Sequence, residues 1–189
     1  MPADHRSVMH PATAAGTMRS RWSRDQAIVN VRGDPGDGDL LQAWGSVADL
    51  PWPTRPVDCP AGRGHRVVWA GPDDWFVIGP QGSQEDLARA FRSAAGSRHH
   101  AVTDVSSGYA VLSLAGQSAR DVLAQGCPLD LHPRVFQMGQ SAGTHFFKAS
   151  VWMWRAAEDT FELLVRSSFA GYVEEMLRRC TLECAAVDR

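Results

Sequence analysis

The sequence predicts an α+β fold built from one strand–helix–strand–strand–helix unit written twice. Arg66–Phe91 (RVVWAGPDDWFVIGPQGSQEDLARAF) and Val151–Met176 (VWMWRAAEDTFELLVRSSFAGYVEEM) share one order of strand, turn, strand and helix. With Trp69 set on Trp154, a shift of 85 residues (154 − 69), Asp74 meets Asp159, Phe76 meets Phe161 and Ile78 meets Leu163. The same shift pairs Leu87 with Tyr172 and Phe91 with Met176. Upstream, Val31–Gly45 and Leu114–Gly126 match more loosely as strand, Gly, polar turn and short helix. Short hairpin turns favour antiparallel or mixed sheets with helices on one face over a doubly wound parallel fold. Such units seldom bury their apolar faces alone, so the two are expected to pack as one compact domain.

Each element has a local reason. Ala27–Val31 is a short apolar strand, Asp34–Asp39 (DPGDGD) a turn, and Leu40–Val47 the start of a helix. Leu50–Gly64 holds four prolines and two glycines and reads as an irregular surface segment. Arg66–Trp69 and Asp74–Ile78 are strands around the turn AGPDD. Ser83 is a candidate N-cap for an amphipathic helix, Gln84–Ala95, with Leu87, Ala90, Phe91 and Ala94 on one face and Gly96 as its stop. In the second half, His100–Val105 and Tyr109–Leu114 alternate as strands. A helix follows over Ser118–Gln125, then strands near Thr144–Lys148, Val151–Arg155 and Thr160–Val165. Ser167 caps a last helix, Phe169–Cys180. The expected organisation is a disordered arm over 1–26, a first lobe over 27–98, a second over 99–182 and a tail over 183–189.

Bulk composition narrows the function. Of 189 residues, 44% are apolar and 21% charged, the profile of an ordinary globular chain. The formal net charge of −2 and scattered arginines give no electrostatic case for nucleic acid. No apolar run approaches the length of a membrane span, and the first 26 residues lack the apolar core of a secretory leader. Cys59, Cys127, Cys180 and Cys184 contain no C-x-x-C and are too sparse for a disulfide framework, so the expected setting is the cytoplasm. Seven tryptophans suit packed cores and protein interfaces alike. Trp22, Trp44 and Trp52 are taken as interface candidates.

The constellations that could carry chemistry read mostly as structure. Adjacent His99 and His100 point to opposite faces of a strand, and His65, His132 and His145 have no partner at ligand spacing. The acid pairs Asp73–Asp74 and Glu158–Asp159 sit at matching turns, where Asp bonds its own backbone. Gly33–Gly38 (GDPGDG) lies between strand and helix like a phosphate loop, but its aspartates repel anions. Cys127 precedes Pro128 and has no local activator. Gly126–Arg134 (GCPLDLHPR) is the exception. Two prolines stiffen it, and Leu129 and Leu131 alternate with Asp130 and His132. It is either a rigid connector or a docking loop, and Cys127, Pro128, Leu129, Asp130, Leu131, His132 and Arg134 join the interface candidates.

AGPDDWFVIGP (Ala70–Pro80), TDVSSGYAVLSLAGQSARDVLAQGCPLDLHPRVF (Thr103–Phe136) and WRAAEDTFELLVRSSFAGYVEEML (Trp154–Leu177) together resemble the gamma subunit family of heterotetrameric sarcosine oxidase. The likeness runs from about Ala27 to Arg179, and ARDVLAQGCPLDLHPR is its most specific part. The resemblance implies a fold similar to the folate-binding domain of aminomethyltransferase, itself duplicated. It also implies an accessory role beside alpha, beta and delta subunits, chiefly the large alpha. That assembly demethylates sarcosine oxidatively to glycine, with tetrahydrofolate as one-carbon acceptor. FAD, FMN, NAD and tetrahydrofolate are expected on the other subunits, and no catalytic residue or metal ligand on this chain. Two alternatives stand beside this: a stand-alone folate-binding or one-carbon-transfer module, with Asp104 and Asp130 as its carboxylates, and a scaffold for another amine oxidase.

Overall fold

The computed structural model describes residues 18–187. Strand β1 is Arg19–Ser23. Then come β2 (Ala27–Gly33), α1 (Gly38–Ala48), β3 (Ala61–Gly62), β4 (His65–Gly71), β5 (Asp74–Gly79), α2 (Gln84–Ala95) and β6 (His100–Asp104). The second half holds β7 (Tyr109–Ala115), α3 (Ala119–Ala124), β8 (Ser141–Phe146), β9 (Ala149–Ala157), β10 (Thr160–Arg166) and α4 (Ala170–Val187). Among the described residues these strands form two five-stranded sheets, ordered β3-β4-β5-β2-β6 and β8-β9-β10-β7-β1. Every strand pair whose register is resolved runs antiparallel.

Each unit is a split βαβ motif of four main strands and two helices. In the first unit the order β2-α1-β4-β5-α2-β6 is continuous in sequence. The second unit has β7-α3-β9-β10-α4, and its fourth strand is β1, from the other end of the chain. The unit therefore exceeds the strand–helix–strand–strand–helix expectation by one closing strand.

The repeat is real, but its register is offset by one residue from the sequence alignment. Gly71 faces Asp74 and Trp69 faces Trp75, so Ala70 is bulged out of β4. Likewise Ala157 faces Thr160 and Arg155 faces Phe161, so Ala156 is bulged out of β9. The bulges coincide at a shift of 86 (156 − 70), which equates Trp75 with Phe161, Val77 with Leu163, Leu87 with Val173 and Phe91 with Leu177. All eight are buried. The partners assigned at a shift of 85, Tyr172 and Met176, are only half-buried. Side chains alternate along a strand, so a one-residue error exchanges its faces.

The first unit's core lies between its helices and one face of its sheet, where Val29, Val31, Leu40, Trp44, Trp75 and Phe91 pack. Asp37 caps α1 by accepting from the Leu40 N–H at 2.9 Å. Asp49, at φ 53°, ends it in the left-handed region. Gly33 must be glycine: an added Cβ would lie 2.6 Å from Trp44 Cη2 and 2.8 Å from Leu40 Cδ2. Ser83 caps differently from expectation. Its hydroxyl donates to the Pro80 carbonyl at 2.7 Å rather than accepting from α2.

The domain expectations need revision. The first unit runs Asp25–Ser106 and regains Gly139–Ala142, and the remaining described residues form the second. The expected cut between 98 and 99 fails because β6 pairs with β2. Residues 139–142 return because Cys59 N–H donates to the Gly139 carbonyl and Ser141 N–H to the Val57 carbonyl, both at 3.0 Å. Of the arm placed at 1–26, Arg19–Ser23 is a strand; residues 1–17 lie outside the described residues. The tail expected from 183 continues α4 to Val187, and residues 188–189 lie outside the described residues. No helix of the described residues is long and apolar enough to cross a membrane.

Gly33→Ala is expected to overpack the first unit and lower its unfolding free energy by about 1–3 kcal/mol in urea titration. Gly38→Ala, whose Cβ would meet nothing within 4 Å, is the control and should not destabilise.

Candidate docking surface

The loop from Cys127 to Met138 is built from its own backbone bonds. Cys127 N–H donates to the Leu123 carbonyl at 2.9 Å, continuing the turn of α3. Asp130 Oδ1 accepts from the His132 N–H at 2.9 Å, and His132 Nδ1 accepts from the Arg134 N–H at 3.2 Å. The His132 carbonyl then accepts from the Val135 and Phe136 N–H groups, both at 2.9 Å. Asp130 and His132 are exposed, but each is committed to the turn. Cys127 is buried, its Sγ 3.7 Å from Thr144 Oγ1. Gly126 lets the chain pass against the ring of Phe147, where any Cβ would collide.

Beneath the loop lies a brace that sequence reasoning did not single out. Arg155 of β9 is only 6% exposed. Its Nη1 donates to the Phe136 carbonyl at 3.2 Å, and its Nε and Nη2 donate to the Glu158 carbonyl at 3.1 and 2.7 Å. One planar fork thus ties the far end of the loop to the β9–β10 turn. Leu131 and Phe136 are buried, and the Phe136 ring stacks on Phe161 with centroids 6.4 Å apart. On the outside, Val135 is 57% and Met138 63% exposed. The expected docking segment therefore splits: Cys127 and Leu131 face inward, while Pro128, Asp130, His132 and Arg134 face solvent. The displayed apolar residues Val135 and Met138 lie just beyond the Gly126–Arg134 segment. The VFQM run after the second proline was the available signal.

The tryptophan expectation is corrected for two of three residues. Trp44 is fully buried, and its Nε1 donates to the Phe91 carbonyl at 3.1 Å. Trp22 is buried on the helix-facing side of its sheet, across from Leu112. Both are core residues, because a broad ring at an inward position covers more apolar area than any alternative. Trp52 alone is half-buried, its ring 5.3 Å from Trp44 and 5.6 Å from Trp75. It borders an open groove of about 580 Å³ shared with Leu41, Gly45 and Leu50.

The carboxylates weighed for folate are spent on turns. Asp104 Oδ1 accepts from the Ser106 N–H at 2.9 Å and from its hydroxyl at 2.5 Å. Asp130 serves His132, as above. In the groove beside Trp52, the carboxylate present, Asp49, is ion-paired to Arg63 at 2.8 Å. These residues do not fit a pterin site, which needs a carboxylate facing into a concave apolar cavity. The acid pairs are also structural. Asp73 pairs with Arg32 at 2.9 Å, Asn30 Nδ2 donates to Asp74 at 2.6 Å, and Asp159 lies 4.0 Å from Arg120.

The fold defines the class. These duplicated α+β units match the crystal structure of glycine cleavage system aminomethyltransferase T from Bartonella henselae at a TM-score of 0.59 and 15% identity, over 82% of this chain and 43% of that one. A nearer likeness is a chain of the heterotetrameric sarcosine oxidase from Corynebacterium sp. U-96, solved in complex with pyrrole 2-carboxylate. Its TM-score is 0.84 at 25% identity, over 92% of this chain and 88% of that one. In sequence, the chain is 35% identical over 182 residues to the sarcosine oxidase subunit gamma of Corynebacterium sp. (strain P-1), covering 93% of this chain and 86% of the relative. The model of the sarcosine oxidase, gamma subunit family matches residues 32–183. The chain belongs to the sarcosine oxidase gamma subunit family.

Arg155→Met is expected to leave the Phe136 and Glu158 carbonyls without donors, at about 1–3 kcal/mol for each buried acceptor. The melting temperature should fall, and trypsin should cut after Arg134 faster than in the parent chain. Arg155→Lys, which keeps the charge but loses the fork, should fall between.

Proposed function

We propose that this chain is an accessory, non-catalytic subunit of a heterotetrameric sarcosine oxidase, held by its neighbours through the braced loop. The reading rests chiefly on the structural match over nearly the whole chain to a component of a heterotetrameric sarcosine oxidase. In this reading the partners are alpha, beta and delta subunits, chiefly the large alpha, and the assembly works in the cytoplasm. It demethylates sarcosine to glycine and passes the one-carbon unit to tetrahydrofolate, with FAD, FMN, NAD and the folate held by the other subunits.

The loop geometry says how such a subunit would contribute. A loop already fixed in shape loses little conformational freedom on binding, so more of the contact energy is retained. Val135 and Met138 stand out from it, and each is worth about 1.5–3 kcal/mol when fully buried. The exposed His132 and Arg134 flank them as a polar rim. Trp52 is a second contact candidate, because its half-exposed ring borders a groove. The stand-alone folate module lacks support from the site residues, since Asp104 and Asp130 are committed to turns.

The test is co-expression with the three other subunits, followed by purification of the assembly on a tagged large subunit. The parent chain should co-purify in stoichiometric amount. Val135→Asp with Met138→Asp should leave the isolated chain folded, by circular dichroism, and reduce its recovery at least about tenfold, since each charge must be desolvated on docking. Full recovery of the double variant would remove the loop from the interface. Failure of the parent chain to co-purify would reject the subunit reading itself.

A further inference from the structure

The two units close their sheets differently, and among the described residues the difference leaves one edge open. In the first unit the outer strand β6 is capped from α2, where Arg92 Nη2 donates to the Val102 carbonyl at 2.8 Å. Val102 stands across from Val31, as Ser20 of β1 stands across from Leu114 in the second unit. The residue matching Arg92 at the shift of 86 (178 − 92) is Arg178 of α4. It does not reach the strand. Its Nε and Nη2 both donate to the Glu175 carboxylate at 2.9 Å, and Arg179 Nε joins them at 2.8 Å. These two guanidiniums hold the Glu175 carboxyl at about 2, well below the usual carboxylate range. Among the described residues the Ser20 carbonyl receives no equivalent bond from α4, and β1 has β7 as its one strand neighbour.

Charge identifies what the open edge suits. Arg19 and Arg21 lie two residues apart on one face of β1 and are exposed. Neither makes an ion pair or a side-chain hydrogen bond among the described residues. Arg24 follows, its guanidinium 5.9 Å over the Trp22 ring. An uncapped strand edge is a template for another extended chain, and unsatisfied arginines select for carboxylates, which they bind with two parallel hydrogen bonds. We propose that the outer edge of β1 is a docking site for an extended acidic segment of another polypeptide, which adds to the second unit's sheet beside β1. A second copy of β1 paired antiparallel over its full length would set Arg21 directly opposite Arg21, which favours an acidic occupant over a copy of this strand. A nucleic acid could neutralise the arginines through its phosphates, but its phosphates bring no N–H to the Ser20 carbonyl. This site is independent of the sarcosine oxidase reading.

The experiment titrates the full chain with a capped five-residue peptide of alternating glutamate and valine and follows amide exchange by NMR. Amides within Arg19–Ser23 should slow on binding, and affinity should fall as salt rises. A lysine–valine peptide should not bind. Arg19→Glu with Arg21→Glu should weaken binding at least about tenfold with the fold unchanged. Arg19→Gln with Arg21→Gln should weaken it less and serves if the reversed variant does not fold. The proposal is overturned by no binding of the acidic peptide, or by equal binding to the charge-reversed variant. It also falls if a single-stranded oligonucleotide binds as tightly as the peptide with no slowing in β1, since that marks a plain polyanion surface.

Discussion

One backbone hydrogen bond, made twice, sets the register on which everything else rests. In the first unit the Asp73 carbonyl accepts from the Gly33 N–H at 3.1 Å; in the second the Asp159 carbonyl accepts from the Gly116 N–H at 2.8 Å. Each joins the turn of a hairpin to the end of the unit's first strand. With that bond in place, β2 must run beside β5, and β7 beside β10, so that Val31 meets Trp75 and Leu114 meets Phe161. Those side chains then face the helices. A slip of one residue would turn the same apolar set away from them. The bulges at Ala70 and Ala156 follow from the same constraint, since both strands must recover register after the turn.

Much of this was legible in the sequence, and what was not has identifiable causes. The duplicated order and the helix over Gln84–Ala95 rest on local signals, hydrophobic period and Gly chemistry, and local signals survive folding. The acid pairs do sit at the turns, but their aspartate carboxylates go to Arg32, Asn30 and Arg120 rather than to their own backbone. The phase of the repeat was not legible, because Trp69 and Trp154 are a natural match in sequence while the bulged alanines carry no sequence mark. Strand β1 has little signal in the sequence, because RSRWS has only Trp22 to bury and the rest is polar. Its partner, β7, is more than 80 residues away, and such pairing leaves no local trace. The burial of Trp22 and Trp44 is hidden for a related reason: composition says that indoles are buried somewhere, but only tertiary placement says whether against the chain's own core or a partner's.

The surface features divide along the same line. The loop after α3 was visible as a stiff, proline-bearing segment. The guanidinium that braces it sits some 20 residues downstream in a strand, where an arginine reads as solvent-facing. In the structure it is a buried cation whose hydrogen bonds go to backbone carbonyls, an arrangement that holds shape without needing a carboxylate nearby. Its repeat counterpart in the first unit is Trp69. The duplication thus supplies two copies of a scaffold, and one copy carries the braced loop and, in β1, a basic edge strand that the other lacks.

The central claim is that the Cys127–Met138 loop is shaped before it meets a partner and is covered when it does. Hydrogen–deuterium exchange of the isolated chain and of the chain within a purified sarcosine oxidase assembly tests this most directly. The account predicts slow exchange at Val135 and Phe136 in the isolated chain, and further slowing across the loop on assembly. Fast exchange there in the isolated chain, or no change on assembly, would contradict it.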